Sequence, residues 1–166
     1  MKLGRIYLIG MPGSGKSFFG LKLSEAIDYP LVDLDTVIEE KEGKEISEIF
    51  EINGEDYFRD LESKVLHEVS ESSDHKIIST GGGAPCYRQG IEYMNSQGVT
   101  VFLETDKEIL IQRLAEKTHR PLVQGDTQKR VDELLKARLP IYKKAQISIA
   151  HREVDLLLDV LKALKN

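Results

Sequence analysis

The sequence has no tryptophan, a single cysteine and only four histidines among its 166 residues. One thiol, Cys86, excludes an internal disulfide, and no set of cysteines and histidines has the spacing of a zinc site. Basic residues are not in excess: 23 Lys and Arg stand against 28 Asp and Glu, giving a formal net charge of -5. We therefore expect neither nucleic acid nor a membrane as a partner, because both attract a basic face.

Long apolar runs are lacking as well. The apolar stretch near the amino terminus, residues 3–9, follows Lys2 and is interrupted at once by the glycine-rich residues 10–16. A membrane-spanning helix needs about 20 apolar residues, so this stretch is too short to be one. It predicts a buried first strand instead.

What is present is an alternation of two kinds of segment. Short apolar runs with the length of buried strands occupy residues 6–9, 30–33, 76–79, 99–103 and 146–150. Apolar residues at helical spacing lie between them: Phe19, Leu23 and Ile27; Tyr57, Leu61, Val65 and Val69; Val131, Leu134 and Leu135; Val154, Leu157, Leu158, Leu161 and Leu164. The alternation predicts a single α/β domain over residues 1–166, with helices on both faces of a parallel sheet.

Two stretches interrupt this alternation. Residues 116–126 lack helical periodicity and contain Pro121 and Gly125, which predicts a loop of the kind that often serves as a lid. Residues 81–85 (GGGAP) follow a predicted strand. Three successive glycines there predict that the backbone closely approaches another group.

The most informative motif is GMPGSGKS at residues 10–17, here called the phosphate loop. Its glycines let backbone N–H groups surround phosphate oxygens at the amino end of a helix. Lys16 is expected to reach the β- and γ-phosphates of ATP, and the Ser17 hydroxyl is expected to ligate Mg²⁺. A glycine-rich turn with an incidental lysine is the alternative, which the preceding strand and following helix disfavour.

Two acids, Asp33 and Asp35, end the second predicted strand. Side chains alternate along a strand, so both should point toward the crevice where ligands of open α/β sheets bind. Asp33 is suited to a magnesium-bound water, and Asp35 to orienting or deprotonating an attacking hydroxyl. Alternatively, Asp35 caps a helix that starts at Thr36.

The arginines supply the cations for an anionic ligand. Arg120 lies in the predicted lid, where closure would bring it to a transferring phosphate. Arg59 precedes Glu62 by three residues, a helical spacing at which the acid can orient the guanidinium. An ordinary surface ion pair, contributing less than about 1 kcal/mol, is the alternative.

Together these motifs resemble those of the shikimate kinase family. The resemblance spans nearly the whole chain and rests on GMPGSGKS, VDLDTVIE, IFEINGEDYFRDLE, STGGGAP, HRPLV and ARLPIYKKA, in that order. It implies transfer of the γ-phosphate of ATP to the 3-hydroxyl of shikimate, in the biosynthesis of chorismate and aromatic amino acids. It also implies a three-layer α/β/α P-loop kinase of the nucleoside-monophosphate-kinase type. That fold has a five-stranded parallel sheet, a substrate-binding helical region at about 33–62 and a mobile lid at about 116–126.

The resemblance also implies roles for individual residues. The catalytic residues would be Lys16, Asp35 and Arg120, and the ligands of one Mg²⁺ ion would be Ser17 and Asp33. Shikimate would be held by Asp35, Arg59, Gly81, Gly82, Gly83 and Arg138, with the two arginines on its carboxylate. ATP would be held by Gly13, Ser14, Gly15, Lys16, Ser17, Phe18 and Arg120, with Arg113 and Arg152 around the base. Leu34, where the family frequently has Ser or Thr, is expected to face outward.

Other functions remain open at this point. The nearest is another small-molecule kinase of this fold, such as a gluconate kinase or a nucleoside-monophosphate kinase. A GTPase-like switch would need an Asn-Lys-x-Asp signature, which the sequence lacks, and a non-catalytic nucleotide-binding module would not need Asp35, Arg59 and Arg138 together. We expect a cytoplasmic monomer whose only partners are its two substrates.

Overall fold

The computed structural model describes residues 4–72, 75–117 and 126–165. In these ranges five strands are formed: β1 (Arg5–Ile9), β2 (Leu31–Asp33), β3 (Lys76–Ser79), β4 (Gly98–Glu104) and β5 (Ile147–Ala150). The α-helices in the same ranges are α1 (Lys16–Ile27), α2 (Leu34–Glu42), α3 (Ile46–Glu71), α4 (Gly90–Gln97), α5 (Lys107–Glu116), α6 (Thr127–Tyr142) and α7 (Val154–Lys165). Short 3-10 turns follow β3 at Ala84–Cys86 and β5 at His151–Glu153.

The five strands form one parallel sheet in the order β2-β3-β1-β4-β5. The central strand β1 is in register with both neighbours, Ile6 pairing with Ile77 on β3 and with Val99 on β4. Because all strands run the same way, their carboxyl ends meet at one edge. The phosphate loop, the two acids and the three glycines therefore emerge side by side, each from its own strand.

Two apolar layers cover the sheet, one on each face. Alternate residues of β1 divide between them: Tyr7 and Ile9 point into one core, Ile6 and Leu8 into the other. Helices α1 and α7 pack on the second face, and α2 to α6 contribute to the first. The predicted three-layer α/β/α architecture is confirmed, and the five predicted strands agree with the observed ones to within one residue at each end.

The predicted inner face of α3 is confirmed in part: Leu61, Val65 and Val69 pack in the core, but Tyr57 does not. Tyr57 was expected inside but is 42% exposed, whereas the neighbouring Phe58 is buried and so is Glu62. The helix is interrupted at Gly54, where φ is 83° and ψ is 173°, before this face begins. The buried face of α3 includes Glu62, a charged residue that a pattern of apolar residues does not select.

The predicted lid lies largely outside the described residues, because 118–125 are not among them. Its neighbours are described: α5 ends at Glu116, and Asp126 caps α6 by accepting a hydrogen bond from the Lys129 amide at 3.2 Å. No helix in the described part of the chain is long and apolar enough to cross a bilayer.

A buried polar chain fastens the central strand to α3. The Tyr7 hydroxyl donates to Ser70 Oγ at 2.8 Å, and the Ser70 hydroxyl donates in turn to the Leu66 carbonyl at 2.7 Å. Both residues are fully buried. Ser70 is the middle link, so its removal leaves a buried phenol without an acceptor.

We predict that Ser70→Ala lowers the free energy of unfolding by about 1–3 kcal/mol, the cost of an unsatisfied buried group. Tyr7→Phe should cost less, about 1 kcal/mol, because Ser70 keeps its own bond to Leu66. Urea unfolding of both variants and of the double variant measures this. Equal costs, or costs that simply add in the double variant, would contradict the chain.

Candidate active site

The phosphate loop connects β1 to α1 and is closed on itself. Gly13 and Gly15 have φ of 81° and 89°, a left-handed conformation that side chains rarely adopt. The Ser14 amide donates to the Met11 carbonyl at 3.0 Å. The Lys16 ammonium group donates to the carbonyls of Gly10 and Met11, each at 2.9 Å. The lysine thus lies across the loop, with its charge at the strand's carboxyl end.

Two oxygen atoms suited to binding a metal ion lie beside this loop. The Ser17 hydroxyl donates to Asp33 Oδ2 at 3.1 Å, joining the first turn of α1 to the end of β2. Two oxygens so close together, one of them a carboxylate, suit a small divalent cation that also takes phosphate and water ligands. No cluster of three or more His, Cys, Asp or Glu that could hold a metal occurs within residues 4–72, 75–117 and 126–165.

The local geometry of the two acids differs from the prediction. The strand ends at Asp33, which caps α2 by accepting from the Thr36 amide at 3.2 Å, so Asp33 rather than Asp35 is the helix cap. Asp35 lies in the first turn of α2. Leu34, expected to face outward, is fully buried because it starts the helix on its core side. Both acids nevertheless face one cavity.

That cavity, here called the central cleft, has a volume of about 190 Å³. Its walls come from the phosphate loop, both acids and the ends of β3 and α5: Pro12, Gly13, Gly15, Lys16, Ser17, Phe18, Asp33, Asp35, Ser79, Thr80, Gly81, Gly82 and Lys117. Most of the predicted phosphate, metal and hydroxyl ligands are therefore brought together. Arg120 lies outside the described residues, and its predicted role stays a prediction.

A buried ion pair lies behind the cleft. Arg59 Nη1 donates to Glu62 Oε1 at 2.8 Å, and the side chains are only 15% and 2% exposed, so this is not a surface pair. Burial raises the pKa of Glu62, the Arg59 cation opposes that shift, and the Asp35 charge reinforces it. No hydrogen-bond donor in the described part of the chain reaches the second oxygen, Glu62 Oε2.

The three glycines at 81–83, here called the glycine loop, are what these charged side chains approach. A Cβ at Gly81 would lie 2.5 Å from Glu62 Oε2 and 3.3 Å from Asp35 Oδ1. One at Gly82 would lie 2.8 Å from Arg138 Nη1, and one at Gly83 would overlap the Arg59 guanidinium. The predicted close approach is thus to a charged cluster.

The charged cluster consists of Asp35, Arg59, Glu62 and Arg138. It continues the central cleft, because Gly81 and Gly82 border both. The Thr80 hydroxyl and amide both bond to the Leu8 carbonyl, at 3.0 and 3.1 Å, and fix the start of the glycine loop to β1. Two cations and two carboxylates therefore lie next to the phosphate loop.

A second cavity of about 270 Å³, here called the outer pocket, lies on the other side of the phosphate loop. The two arginines predicted to flank the base, Arg113 and Arg152, both line it, together with Phe18. Arg113 Nη1 donates to the Gly13 carbonyl at 2.8 Å, and its Nη2 lies 3.0 Å from His151 Nε2. Phe18 is 66% exposed, which leaves an aromatic face open to a ligand.

Three site residues were not predicted. Glu62 was expected only to orient Arg59, and neither His151 nor Tyr142 was expected at the site. Tyr142 was not singled out, yet its hydroxyl reaches the Gly82 carbonyl. Only Glu62 has a local signal, the three-residue spacing from Arg59. The other two depend on contacts between distant parts of the chain.

Comparison with known proteins gives one consistent family. A family model described as shikimate kinase matches residues 12–163. A shikimate kinase of Clostridium botulinum (strain Loch Maree / Type A3) is 45% identical over 163 residues, covering 96% of this chain and 95% of the relative. A solved shikimate kinase from Acinetobacter baumannii in complex with shikimate superposes with a TM-score of 0.90 at 33% identity, covering 99% of this chain and 96% of that one.

The predicted alternative, a gluconate kinase, is also represented. A solved gluconokinase from Sinorhizobium meliloti 1021 covers 97% of this chain and 94% of its own, but with a TM-score of 0.57 and 19% identity. At that identity the likeness concerns the fold alone. The alternative is therefore weaker than the family found above.

The raised pKa of Glu62 predicts how stability depends on pH. Folded Glu62 holds its proton to higher pH than unfolded Glu62, whose pKa is about 4.5, so the folded state loses stability as the pH rises above that value. Compared with Glu62→Gln, the wild type should lose stability as the pH rises from 4.5, by at most about 1.4 kcal/mol per pH unit for one proton. Urea unfolding between pH 4.5 and 7.5 measures it.

Glu68, on the same helix, is the matched control. Its hydrogen bond to Lys41 lowers its pKa, so the stability it contributes is present above the unfolded pKa and is lost as the pH falls. The difference between wild type and Glu68→Gln should therefore change with pH in the opposite direction. Curves of the same sign for both variants would show that the burial argument for Glu62 is wrong.

Proposed function

The chain belongs to the shikimate kinase family, whose members phosphorylate shikimate with ATP, and we propose that the transfer takes place between its central cleft and its charged cluster. One observation carries this proposal. Asp35, Arg59 and Arg138 converge on the glycine loop within reach of the phosphate loop. A phosphate donor and a hydroxylated acid can thus be held side by side.

Recognition of the acceptor rests on its carboxylate. Guanidinium groups bind carboxylates through paired, charge-assisted hydrogen bonds, and Arg59 and Arg138 both border the glycine loop. Glu62 holds Arg59 by one nitrogen and fixes the direction of its planar fork. The backbone of the glycine loop then closes over the ring of shikimate, because glycines leave room for it.

Transfer itself needs positioning and charge stabilisation. Asp35 orients the acceptor hydroxyl and takes its proton as the oxygen attacks the γ-phosphorus of ATP, and ADP leaves. Lys16 moves from the Gly10 and Met11 carbonyls, or extends past them, to the β- and γ-phosphates. Arg120 adds positive charge at the transferring group, and a closed lid over 116–126 excludes water that would otherwise accept the phosphate.

Kinases that use ATP generally need a divalent metal, and here we assign one Mg²⁺ ion to Ser17 and Asp33. The fit rests on their oxygens, which are 3.1 Å apart at the mouth of the phosphate loop. Mg²⁺ commonly binds through few protein ligands, because phosphate and water oxygens complete its octahedron. When bound, it neutralises charge on the β- and γ-phosphates.

The nucleotide base belongs in the outer pocket. Arg113 and Arg152 line it and present flat guanidinium groups, which stack on aromatic rings. The backbone of residues 13–18 then surrounds the phosphates. Every proposed group comes from one chain, which supports a monomer with ATP and shikimate as its partners. The use of ATP and of a metabolic intermediate supports the cytoplasm as its compartment.

Arg59 and Arg138, which together hold the acceptor carboxylate in this proposal, are here called the carboxylate clamp. The clamp predicts that Arg138→Ala raises the KM for shikimate by roughly 10- to 100-fold, because a charge-assisted pair of hydrogen bonds is lost. The KM for ATP should change less than twofold. A coupled ADP assay with shikimate as the sole acceptor measures both constants. Arg130→Ala, on the same helix but 45% exposed and 3.9 Å from Glu133, is the control and should change neither. Equal effects of Arg138→Ala on both substrates would contradict the clamp.

The role of Asp35 predicts a different pattern. Asp35→Asn keeps the size and polarity of the side chain but removes its ability to accept a proton, so kcat should fall by about 10²–10⁴. ATP binding, followed by calorimetry, should stay within about twofold because Asp35 does not hold the phosphates. A variant with undiminished kcat would refute this assignment.

A further inference from the structure

We propose that Tyr142 is a positioning residue for the acceptor side of the site, fixing the Gly82 carbonyl and the helix that carries Arg138 relative to each other. The proposal rests on the proposed function, since it concerns how Arg138 meets the acceptor. Tyr142 itself lies behind the glycine loop and does not line the central cleft. It would act through the groups it holds.

The hydroxyl of Tyr142 donates to the Gly82 carbonyl at 2.6 Å, across 60 residues of sequence. The carbonyls on either side are already bonded to backbone: Gly81 accepts from Ala84 at 3.2 Å, and Gly83 accepts from Cys86 at 3.0 Å. For Gly82 the tyrosine supplies the corresponding donor. It therefore completes the hydrogen bonding that fixes the orientation of the three peptide groups in the glycine loop.

Arg138 is one helical turn before Tyr142 and meets the same glycine. Its Nη1 would lie 2.8 Å from a Cβ at Gly82, the glycine whose carbonyl accepts the Tyr142 hydrogen bond. Gly82 is therefore the point at which the arginine and the tyrosine hydroxyl, both carried by α6, meet the glycine loop.

Helix α6 lacks a backbone hydrogen bond near Arg138, so contacts from outside the helix matter there. Pro140 lies inside α6, between the two residues, and has no N–H to donate to the carbonyl one turn earlier. The turn that carries Arg138 is therefore held less firmly by its own backbone. The ring of Tyr142 supplies the missing restraint, packing on Phe102 of the sheet with centroids 5.1 Å apart.

The Tyr142 hydroxyl keeps its proton, so its hydrogen bond to Gly82 does not change with pH. Tyr142 is fully buried, and burial raises its pKa far above the ordinary tyrosine value. The group stays protonated at all pH values at which the protein works, so it remains a donor. Its role is positional, and it exchanges no proton with substrate.

The test is Tyr142→Phe, with Tyr7→Phe as the matched control. Tyr7 is the other fully buried tyrosine of this core, with its own buried hydroxyl bond, but it lies on β1 away from the glycine loop. Tyr142→Phe should raise the KM for shikimate about three- to tenfold, the effect of losing one hydrogen bond, and leave the KM for ATP within twofold. Tyr7→Phe should lower stability and change neither constant.

A second variant makes the test independent of any folding defect. Incorporation of 4-aminophenylalanine at position 142 keeps the ring and restores an N–H donor toward Gly82, so the KM for shikimate should return toward the wild-type value. Thermal unfolding checks that each variant is folded. If Tyr142→Phe raises both KM values equally, or raises neither, or if the amino analogue raises the KM for shikimate as much as phenylalanine does, Tyr142 is not a positioning residue.

Arg138→Ala separates this proposal from the function on which it rests. A raised KM for shikimate in Arg138→Ala with no change in Tyr142→Phe overturns only the role of Tyr142. An unchanged KM for shikimate in Arg138→Ala overturns the carboxylate clamp. A rise in both variants, with ATP unaffected, supports both.

Discussion

The parallel pairing of β1 between β3 and β4 is the constraint from which the rest of the structure follows. It brings the ends of β1, β2 and β3 to one edge, although the segments that follow them are separated by tens of residues. Each segment carries one part of the chemistry: glycines and a lysine after β1, two acids after β2, and the glycine loop after β3. Their shared edge makes them one site, because backbone hydrogen bonds fix the strands that carry them.

The charged cluster buries charged groups, which costs free energy. A buried ion pair is often no more stabilising than apolar residues of the same shape, and here Glu62 is left with one oxygen lacking a donor among the described residues. Two arginines face two carboxylates, so the cluster is close to neutral before an acceptor arrives. In the proposed function the acceptor carboxylate would bind the guanidinium groups of Arg59 and Arg138, while Glu62 keeps Arg59 oriented.

Much of the fold and part of the site could be predicted from sequence, and the errors have physical causes. Short apolar runs locate strands well, because a strand buried on both faces has little choice of composition. Asp33 and Asp35 were placed correctly at the cleft but for a wrong reason, since the chain turns into α2 directly after Asp33. On α3 only Tyr57 was misplaced, because the buried stripe runs through Phe58 and Glu62, and a pattern of apolar residues does not select a glutamate. Tyr142 and His151 act across 60 and 38 residues, where no local pattern reports the partner.

The three glycines of the glycine loop are a choice that costs folding stability. Three successive glycines raise the entropy of the unfolded chain and supply no side chain to the core. A side chain at any of the three positions would displace a member of the charged cluster, because its Cβ would lie within 2.8 Å of a carboxylate or a guanidinium. A loop so free in conformation must be fixed from outside. Thr80 fixes its start to β1, backbone amides satisfy the carbonyls of Gly81 and Gly83, and Tyr142 satisfies Gly82. The freedom that glycine provides is therefore used for close approach, while hydrogen bonds from three directions remove the flexibility that would accompany it.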